Sequence, residues 1–421
     1  MTAAGLYALP RRWAPLPLLV GTCYMTIGQA IEVGPFHFHI IRLLIIKVGP
    51  FHFPIFRLLI LAGLTRVIIR GERLAGRMNG MDWLMIVWST WALISSGFHD
   101  NPSSALVSRL GIIYDACGAY FLFRIFCQSI EDVKTLCFIT AVLLIPISVE
   151  MFFEKENAYN AFSMFGGVSE IPEIRGGRIR SQGPFSHSIL AGTVGAVCLP
   201  LIVCLWQEHR KLSLTGIVAC LLIIFTCGSS GPIMSAIAAI GALFMWRYRE
   251  HMRFVRWIAI LGYIALNIVM NAPAYYIIAR INMIGESTGW HRARLIESAF
   301  YHLNEWWLVG TDFTRHWMPT GVPWSPDHAD ITNYYLYFGV VGGLPLIFLF
   351  MAILYKGFSF VGKAVGQASN QPQESRFFIW ALGSSLFVHA VTFLSVSYFD
   401  QSIMFIYLTL AAISSIWAQQ T

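Results

Sequence analysis

The sequence predicts an all-α fold: a polytopic membrane protein of about twelve transmembrane helices, with two long outer loops, the second partly helical. Three observations predict it. Of 421 residues, 56% are hydrophobic and only 12% charged, at a mean hydropathy of +0.62. A soluble globular chain carries roughly 25% charged residues, so too few polar groups remain to cover a water-facing surface, and a disordered chain is excluded for the same reason. The apolar residues fall into runs near the ~20 residues that cross a bilayer. The basic residues are biased to alternate loops, which is the pattern that orients membrane helices.

In chain order the runs are 14–32, 54–70, 81–97, 108–127, 132–153, 186–206, 212–227, 230–247, 255–272, 333–356, 376–395 and 399–418. The seventh and eighth are separated only by Gly228-Ser229, within the turn-like run Gly228-Ser229-Ser230-Gly231-Pro232, so these two read as a pair of spans or as one re-entrant hairpin. The whole chain, 1–421, reads as a single membrane domain.

With the amino terminus inside, the inner segments hold Arg11, Arg12, Arg66, Arg70, Arg73, Arg77, Arg124, Lys134, Arg210, Lys211, Arg247, Arg249, Arg253, Arg256, Lys356, Lys363 and Arg376, which is 17 of the 29 basic residues. The short outer loops 98–107, 228–229 and 396–398 hold none. Both termini are therefore expected in the cytoplasm. The net charge of +7 reads as this topology signal and not as a nucleic-acid surface. Residues 1–32 begin basic and run into a long span without an A-x-A-like site, so no cleavable signal is expected.

The eight cysteines lie in or at the ends of apolar runs and form no C-x-x-C. They read as small apolar fillers, with neither disulfides nor a metal site. The first outer loop holds a tandem duplication: Val33–Lys47 is followed by Val48–Ala62, with eleven of fifteen positions identical. It reads as a copied interfacial loop, and its His37, His39 and His52 as bystanders rather than metal ligands.

The outward-facing chemistry collects in loops 154–185 and 273–332. The first carries Arg175, Arg178 and Arg180, then Gly183-Pro184-Phe185-Ser186-His187 at the mouth of a span. Positive charge is normally depleted on that side, so an anionic ligand is expected to hold it, phosphate being the best match for the planar guanidinium fork. Ser186 is expected to cap the span, with His187 one residue inside. The second loop carries Arg292 and Arg294 on a stretch whose Leu295, Ile296, Ala299 and Leu303 fall at helical spacing. This predicts an amphipathic surface helix anchored by Trp306-Trp307. It ends in Asp327-His328-Ala329-Asp330 and Asn333, and a histidine beside a carboxylate suits a general base. Gly339 and Gly342 are expected to let helices approach closely. Inside the spans, Arg57 is expected to snorkel, and Asp115 to pair with Arg109 or reach the arginine cluster.

His328, ten intervening residues and then Gly339-x-x-Gly342, together with Arg180-x-x-Gly183-Pro184-Phe185-x-His187, resemble the O-antigen ligase and O-antigen polymerase superfamily. The motif likeness covers about 180–192 and 290–345, and the likeness in topology covers most of the chain. One departure is that many members read His-Asn where this chain has His328-Ala329, its Asn333 coming five residues later, which leaves Asp330 and Asn333 to share the role of the histidine. The resemblance implies a bacterial inner-membrane glycosyltransferase with its active face in the periplasm. It implies metal-independent transfer, without cofactor, of glycan from undecaprenyl diphosphate to lipid A-core or a similar acceptor. The polymerase branch would transfer to another lipid-linked unit in O-antigen or exopolysaccharide synthesis. His328 and Asp330 would be catalytic, Arg178, Arg180, Arg292 and Arg294 would bind the diphosphate, and His187, Asp327 and Asn333 would be secondary candidates. A polysaccharide or lipid transporter is the non-enzyme alternative. The span interiors are nearly free of charge and no inverted repeat is evident, which weighs against it.

Overall fold

The computed structural model describes residues 2–26, 46–48, 51–280, 289–323, 325–368 and 372–420. Most of the first copy of the duplication therefore lies outside the described residues, as do His37 and His39. The chain folds into helices α1 (Thr2–Ala8), α2 (Pro15–Tyr24), a strand pair β1 (Ile46–Val48) and β2 (Phe51–Phe53), then α3 (Ile55–Arg70), α4 (Gly80–Ser96), α5 (Pro102–Phe126) and α6 (Ile130–Asn157). A hairpin of β3 (Glu173–Arg175) and β4 (Arg178–Arg180) follows, then α7 (Ser188–Val203), α8 (Arg210–Thr226), α9 (Ser230–Phe244) and α10 (Met252–Val269). The short α11 (Ile277–Arg280), α12 (Gly289–Tyr301) and α13 (Leu303–Trp306) precede the long α14 (Tyr334–Gln367), α15 (Gln373–Thr392) and α16 (Met404–Gln420).

Each of the twelve apolar runs contains a helix. Among the described residues, five helices are long and apolar enough to cross a membrane: Pro102–Phe126, Ile130–Asn157, Ser230–Val269 counted across the 3₁₀ link between α9 and α10, Tyr334–Gln367 and Gln401–Gln420. The other helices are shorter or less apolar than a full crossing needs. Among the described residues, strands are confined to the two small antiparallel pairs.

Burial follows the apolar pattern of each helix. α7 and α16 are buried almost all round, from Leu190 to Ile202 and from Met404 to Ile416. A helix apolar on every face belongs in the centre of a bundle. α10 buries no side chain, and its Ile268 and Val269 are 78% and 79% exposed. Leu214, Val218, Leu221 and Phe225 on α8, and Ile237, Ile240 and Phe244 on α9, also face outward. Apolar surface on this scale is not left in water by a soluble protein and suits contact with acyl chains.

Hydrogen bonds sort the connections into two ends. At one, Arg66 reaches Glu72 (2.8 Å), Arg11 reaches Asp132 (3.3 Å), and Arg124 donates to the Ala75 carbonyl (2.7 Å). At the other lie the connections around residues 98–102, 158–187, 227–229, 270–280, 289–323, 325–333 and 393–402, called here the site end.

α14 is broken near its start. Gly342 (φ −157°, ψ 24°) and Gly343 (φ 74°, ψ −174°) leave the helical region just before Pro345. A break frees carbonyls that must be satisfied within the protein at membrane depth. Arg109 donates to Val341 O (2.9 Å), Trp91 Nε1 to Gly342 O (2.8 Å), and the Thr311 amide to Val340 O (3.0 Å). His99 sits between Arg109 (3.0 Å) and Asp312 (2.6 Å), tying the break to the second loop. Arg109 is thus committed to this network, and Asp115 pairs instead with Arg57, Nε to Oδ1 at 2.7 Å and Nη2 to Oδ2 at 2.6 Å. The expectation of an Asp115–Arg109 pair fails because the α14 carbonyls compete for the guanidinium. Gly342 acts at this break and not only as a contact point, while Gly339 lies against the Trp306 ring.

Candidate functional site

The first loop is a built element. Gly176 and Gly177 both take positive φ, 55° and 71°, as a two-residue hairpin turn of the primed type requires. The register then sets Glu173 opposite Arg180. Their side chains share a face, and the carboxylate accepts from Arg180 Nη1 at 2.7 Å. Arg180 Nη2 also reaches Ser229 Oγ at 3.3 Å.

The chain beyond the hairpin is bolted down residue by residue. The Ser181 amide donates to Thr226 O (3.1 Å), and the amides of Gln182 and Gly183 donate to the Glu154 carboxylate (3.1 and 2.8 Å). Asn160 Nδ2 holds Gly183 O (2.9 Å), Gln401 Nε2 holds Pro184 O (2.9 Å), and the Ser186 amide donates to Asp400 Oδ2 (2.9 Å). The helix cap is His187, whose Nδ1 accepts from the Ile189 amide at 3.1 Å, and not Ser186, because α7 starts at Ser188 and places Ser186 one residue too early. His187 lies just outside α7. Burial, then the neighbouring Arg180, hold its pKa below the ordinary histidine value, against the pull of Glu173 and Asp330. It is therefore a neutral imidazole whose Nε2, 3.8 Å from Glu173, faces the loops.

In the second loop α12 turns one face inward. Arg292, Leu295 and Ala299 are buried at i, i+3 and i+7, while Arg294, 200° round the helix, is exposed and paired with Glu297. Glu297 also accepts from Tyr276 at 2.9 Å. Burial first, then Arg175 and Arg180, push the Arg292 guanidinium below its ordinary pKa, with Asp330 opposing. Burial likewise lowers Arg180, with Arg175 adding to it and Glu173 opposing. The residues that influence Arg292 and those that influence His187 are therefore largely the same. Arg175, Arg180 and His187 from the first loop share one region with Arg292 and Asp330 from the second. Arg180 is 3% and Arg292 7% exposed, yet the Nε of each finds no hydrogen-bond partner among the described residues, and neither do Ser181 Oγ and Ser188 Oγ. An unmet buried donor costs about 1–3 kcal/mol, so ordered water or a ligand completes such atoms, here as at the Nε of Arg109 and Arg124 elsewhere in the chain.

The remaining predicted residues are placed as follows. Arg178 is exposed at the hairpin tip strand, on the edge of this region. His328 is half-buried, and its Nδ1 bonds Ser325 Oγ at 2.7 Å rather than Asp327 or Asp330. Its position is fixed by the backbone around it: Asp327 O accepts the Thr314 and Arg315 amides (both 2.9 Å), and the Ala329 amide donates to Thr314 Oγ1 (3.0 Å). The Asp327 and Asp330 side chains are exposed, and the Asp330 carbonyl lies 3.4 Å from His291 Nε2. Asn333 is a structural cap: Oδ1 accepts from the Leu336 amide (3.1 Å), and Nδ2 donates to Leu394 O (3.1 Å). Trp306 is not an interface anchor. It is buried on Gly339, with Nε1 donating to Ala299 O at 2.9 Å, and Trp307 alone is exposed.

Sequence reasoning missed Glu173, Glu154, Ser229 and Asp400. The first had a signal, because Glu173 and Arg180 flank Gly176-Gly177 symmetrically. The others act through long-range contacts that no spacing announces. Comparison of the sequence with protein-family models and with curated proteins finds no match, so the functional reading rests on these residues.

Proposed function

We infer that the chain is a membrane glycosyltransferase of O-antigen ligase type, moving glycan from undecaprenyl diphosphate to a lipid A-core or similar acceptor. One observation carries this reading: two almost fully buried guanidiniums from different loops, Arg180 and Arg292, lie in each other's field with unpartnered Nε atoms. Two buried like charges close together are unfavourable, Glu173 engages only one edge of Arg180, and a diphosphate supplies further negative charge and acceptors. Exposed apolar faces on the helices give a polyprenyl tail a place in the bilayer. The reading places twelve spans in a bacterial inner membrane, both termini cytoplasmic and the site end periplasmic.

In the proposed step the anomeric carbon–oxygen bond breaks, and its electron pair stays on the diphosphate. Arg180 and Arg292, with Arg175 and Arg178 beside them, stabilise that growing charge, an effect worth about 10²–10³ in rate per group. The acceptor hydroxyl attacks from the opposite face, which inverts the anomeric carbon, and its proton passes to His328 Nε2. That role requires the tautomer in which Nδ1–H donates to Ser325 Oγ. No resident metal takes part in this step.

The polymerase reading shares this chemistry and differs only in acceptor. Deletion of the gene followed by surface-glycan analysis separates them. Uncapped lipopolysaccharide with lipid-linked polymer accumulating supports the ligase, single lipid-linked repeats support the polymerase, and unchanged glycan refutes both. A transporter reading draws on the Arg57–Asp115 pair within the helices. That pair is closed on itself through two hydrogen bonds, which favours a structural role.

A further inference from the structure

Outside the anion site, α13 and the 3₁₀ turn Arg315–Trp317 bring together a second cluster of metal-ligating side chains. His302 and Glu305 stand three residues apart across the start of α13, and His316 returns beside them from the second turn. His302 Nδ1 lies 2.7 Å from Glu305 Oε1, and His316 Nε2 lies 2.9 Å from Glu305 Oε2. The two imidazole rings are almost perpendicular, at 87° with centroids 4.6 Å apart, so each nitrogen approaches the carboxylate from its own direction. All three donor atoms fall within 4.8 Å of one another. Zinc bonds to nitrogen and oxygen of about 2.0–2.2 Å at tetrahedral angles set donors roughly 3.3–3.5 Å apart, which lies within the range these atoms span. Glu305 is also oriented from behind, since Trp317 Nε1 donates to Oε2 at 3.2 Å. An outer-shell donor to a ligand carboxylate is a regular feature of metal sites.

We propose that His302, Glu305 and His316 form a binding site for a zinc-class divalent cation, with water completing the coordination. Two imidazoles and one carboxylate without a thiolate suit a borderline cation of this kind and not magnesium or calcium, which prefer all-oxygen ligands. The site is structural. It joins the end of the α12–α13 segment, which carries Arg292, to the turn whose Thr314 and Arg315 amides hold Asp327 O. It is independent of the transfer chemistry, takes no part in the reaction step, and would stand if that reading failed.

The test uses full-length protein in detergent, stripped with chelator and titrated with zinc chloride by calorimetry and with cobalt(II) by visible absorption. Wild type is expected to bind one equivalent and to show the d–d bands of nitrogen and oxygen ligation. His302→Ala and His316→Ala are each expected to weaken binding at least about tenfold, and the double variant to abolish it. His37→Ala/His39→Ala/His52→Ala, which removes the histidines of the duplication, is expected to bind as wild type does. Because the ligands are partly exposed, the variants should fold, and zinc should raise the thermal midpoint of wild type and of the triple variant but not of the His302→Ala/His316→Ala double variant. Unchanged binding in the double variant, or loss of binding in the triple variant, overturns the assignment, as does a wild type that takes up no zinc.

Discussion

Glu173 and Arg180 face each other across a two-glycine hairpin, carboxylate to guanidinium at 2.7 Å, with the arginine side chain 4% and the glutamate side chain 46% exposed. The glutamate occupies one edge of a guanidinium that the proposed reading gives to a phosphate. Any anion that binds Arg180 therefore competes with Glu173. Glu173→Gln should tighten binding of a short-chain polyprenyl diphosphate by about two- to fivefold, the scale of a partly exposed ion pair. Titration of the variant against wild type checks this, and weaker binding by Glu173→Gln would show that the carboxylate assists the ligand.

Two arginines on one helix separate the site from its surroundings. Arg292 is buried with Nε unpartnered, while Arg294 is exposed and held by Glu297. Arg292→Ala should lower glycan transfer by about 10²–10³. Arg294→Ala should stay within about twofold of wild type, as exposed pairs contribute little. A transfer assay in proteoliposomes reads both, and equal losses in the two variants would remove Arg292 from its special role.

The cap on α7 is sensitive to acid. His187 Nδ1 accepts the Ile189 amide, and burial with Arg180 nearby lowers its pKa. A base that is harder to protonate when folded destabilises the native state as it is forced to charge. The stability it confers is complete above the unfolded histidine value, about 6.5, and falls as pH drops from there through the lowered native value. His187→Asn keeps a cap acceptor without the titration. Thermal unfolding in detergent between pH 5 and 8 should show a weaker acid slope for the variant, and an identical slope would exclude His187 as a source.

The break in α14 is fixed by glycine. Gly343 has φ 74°, and a Cβ there would collide with the Leu308 carbonyl. Gly343→Ala should cost about 3 kcal/mol or more, combining backbone strain with a clash against backbone. Gly362→Ala, on the same helix with open space around it, is the control. Yield and thermal midpoint of the two proteins provide the measurement, and a stable Gly343→Ala variant would contradict the assigned geometry.

Much of the architecture was legible because periodicity and apolar length are local properties: each of the twelve runs holds a helix. Helix lengths were less legible, since burial inside the bundle relaxes the need for twenty apolar residues. α7 has only 16 residues, yet it is surrounded by protein along nearly its whole length. In the site, the basic residues of the two long loops are legible in the sequence, and the structure brings Arg175 and Arg180 into the field of Arg292. What spacing could not reveal was which arginine faces inward, because Arg292 and Arg294 are equivalent until the buried stripe of α12 is known. Asn333 was read as a chemical residue and is a cap, a role any asparagine before a helix offers. The His302–Glu305–His316 cluster escaped notice because a connection of ten residues separates its last two members.

The central claim is that Arg180 and Arg292 hold a lipid-linked diphosphate. Competition binding of undecaprenyl diphosphate against phosphatidylglycerol by full-length protein in detergent tests it most directly. Wild type should prefer the diphosphate lipid, and Arg180→Ala/Arg292→Ala should lose that preference by about a hundredfold or more while remaining folded by circular dichroism. A folded double variant that retains the diphosphate lipid as tightly as wild type, or a wild type that does not distinguish the two lipids, would contradict it.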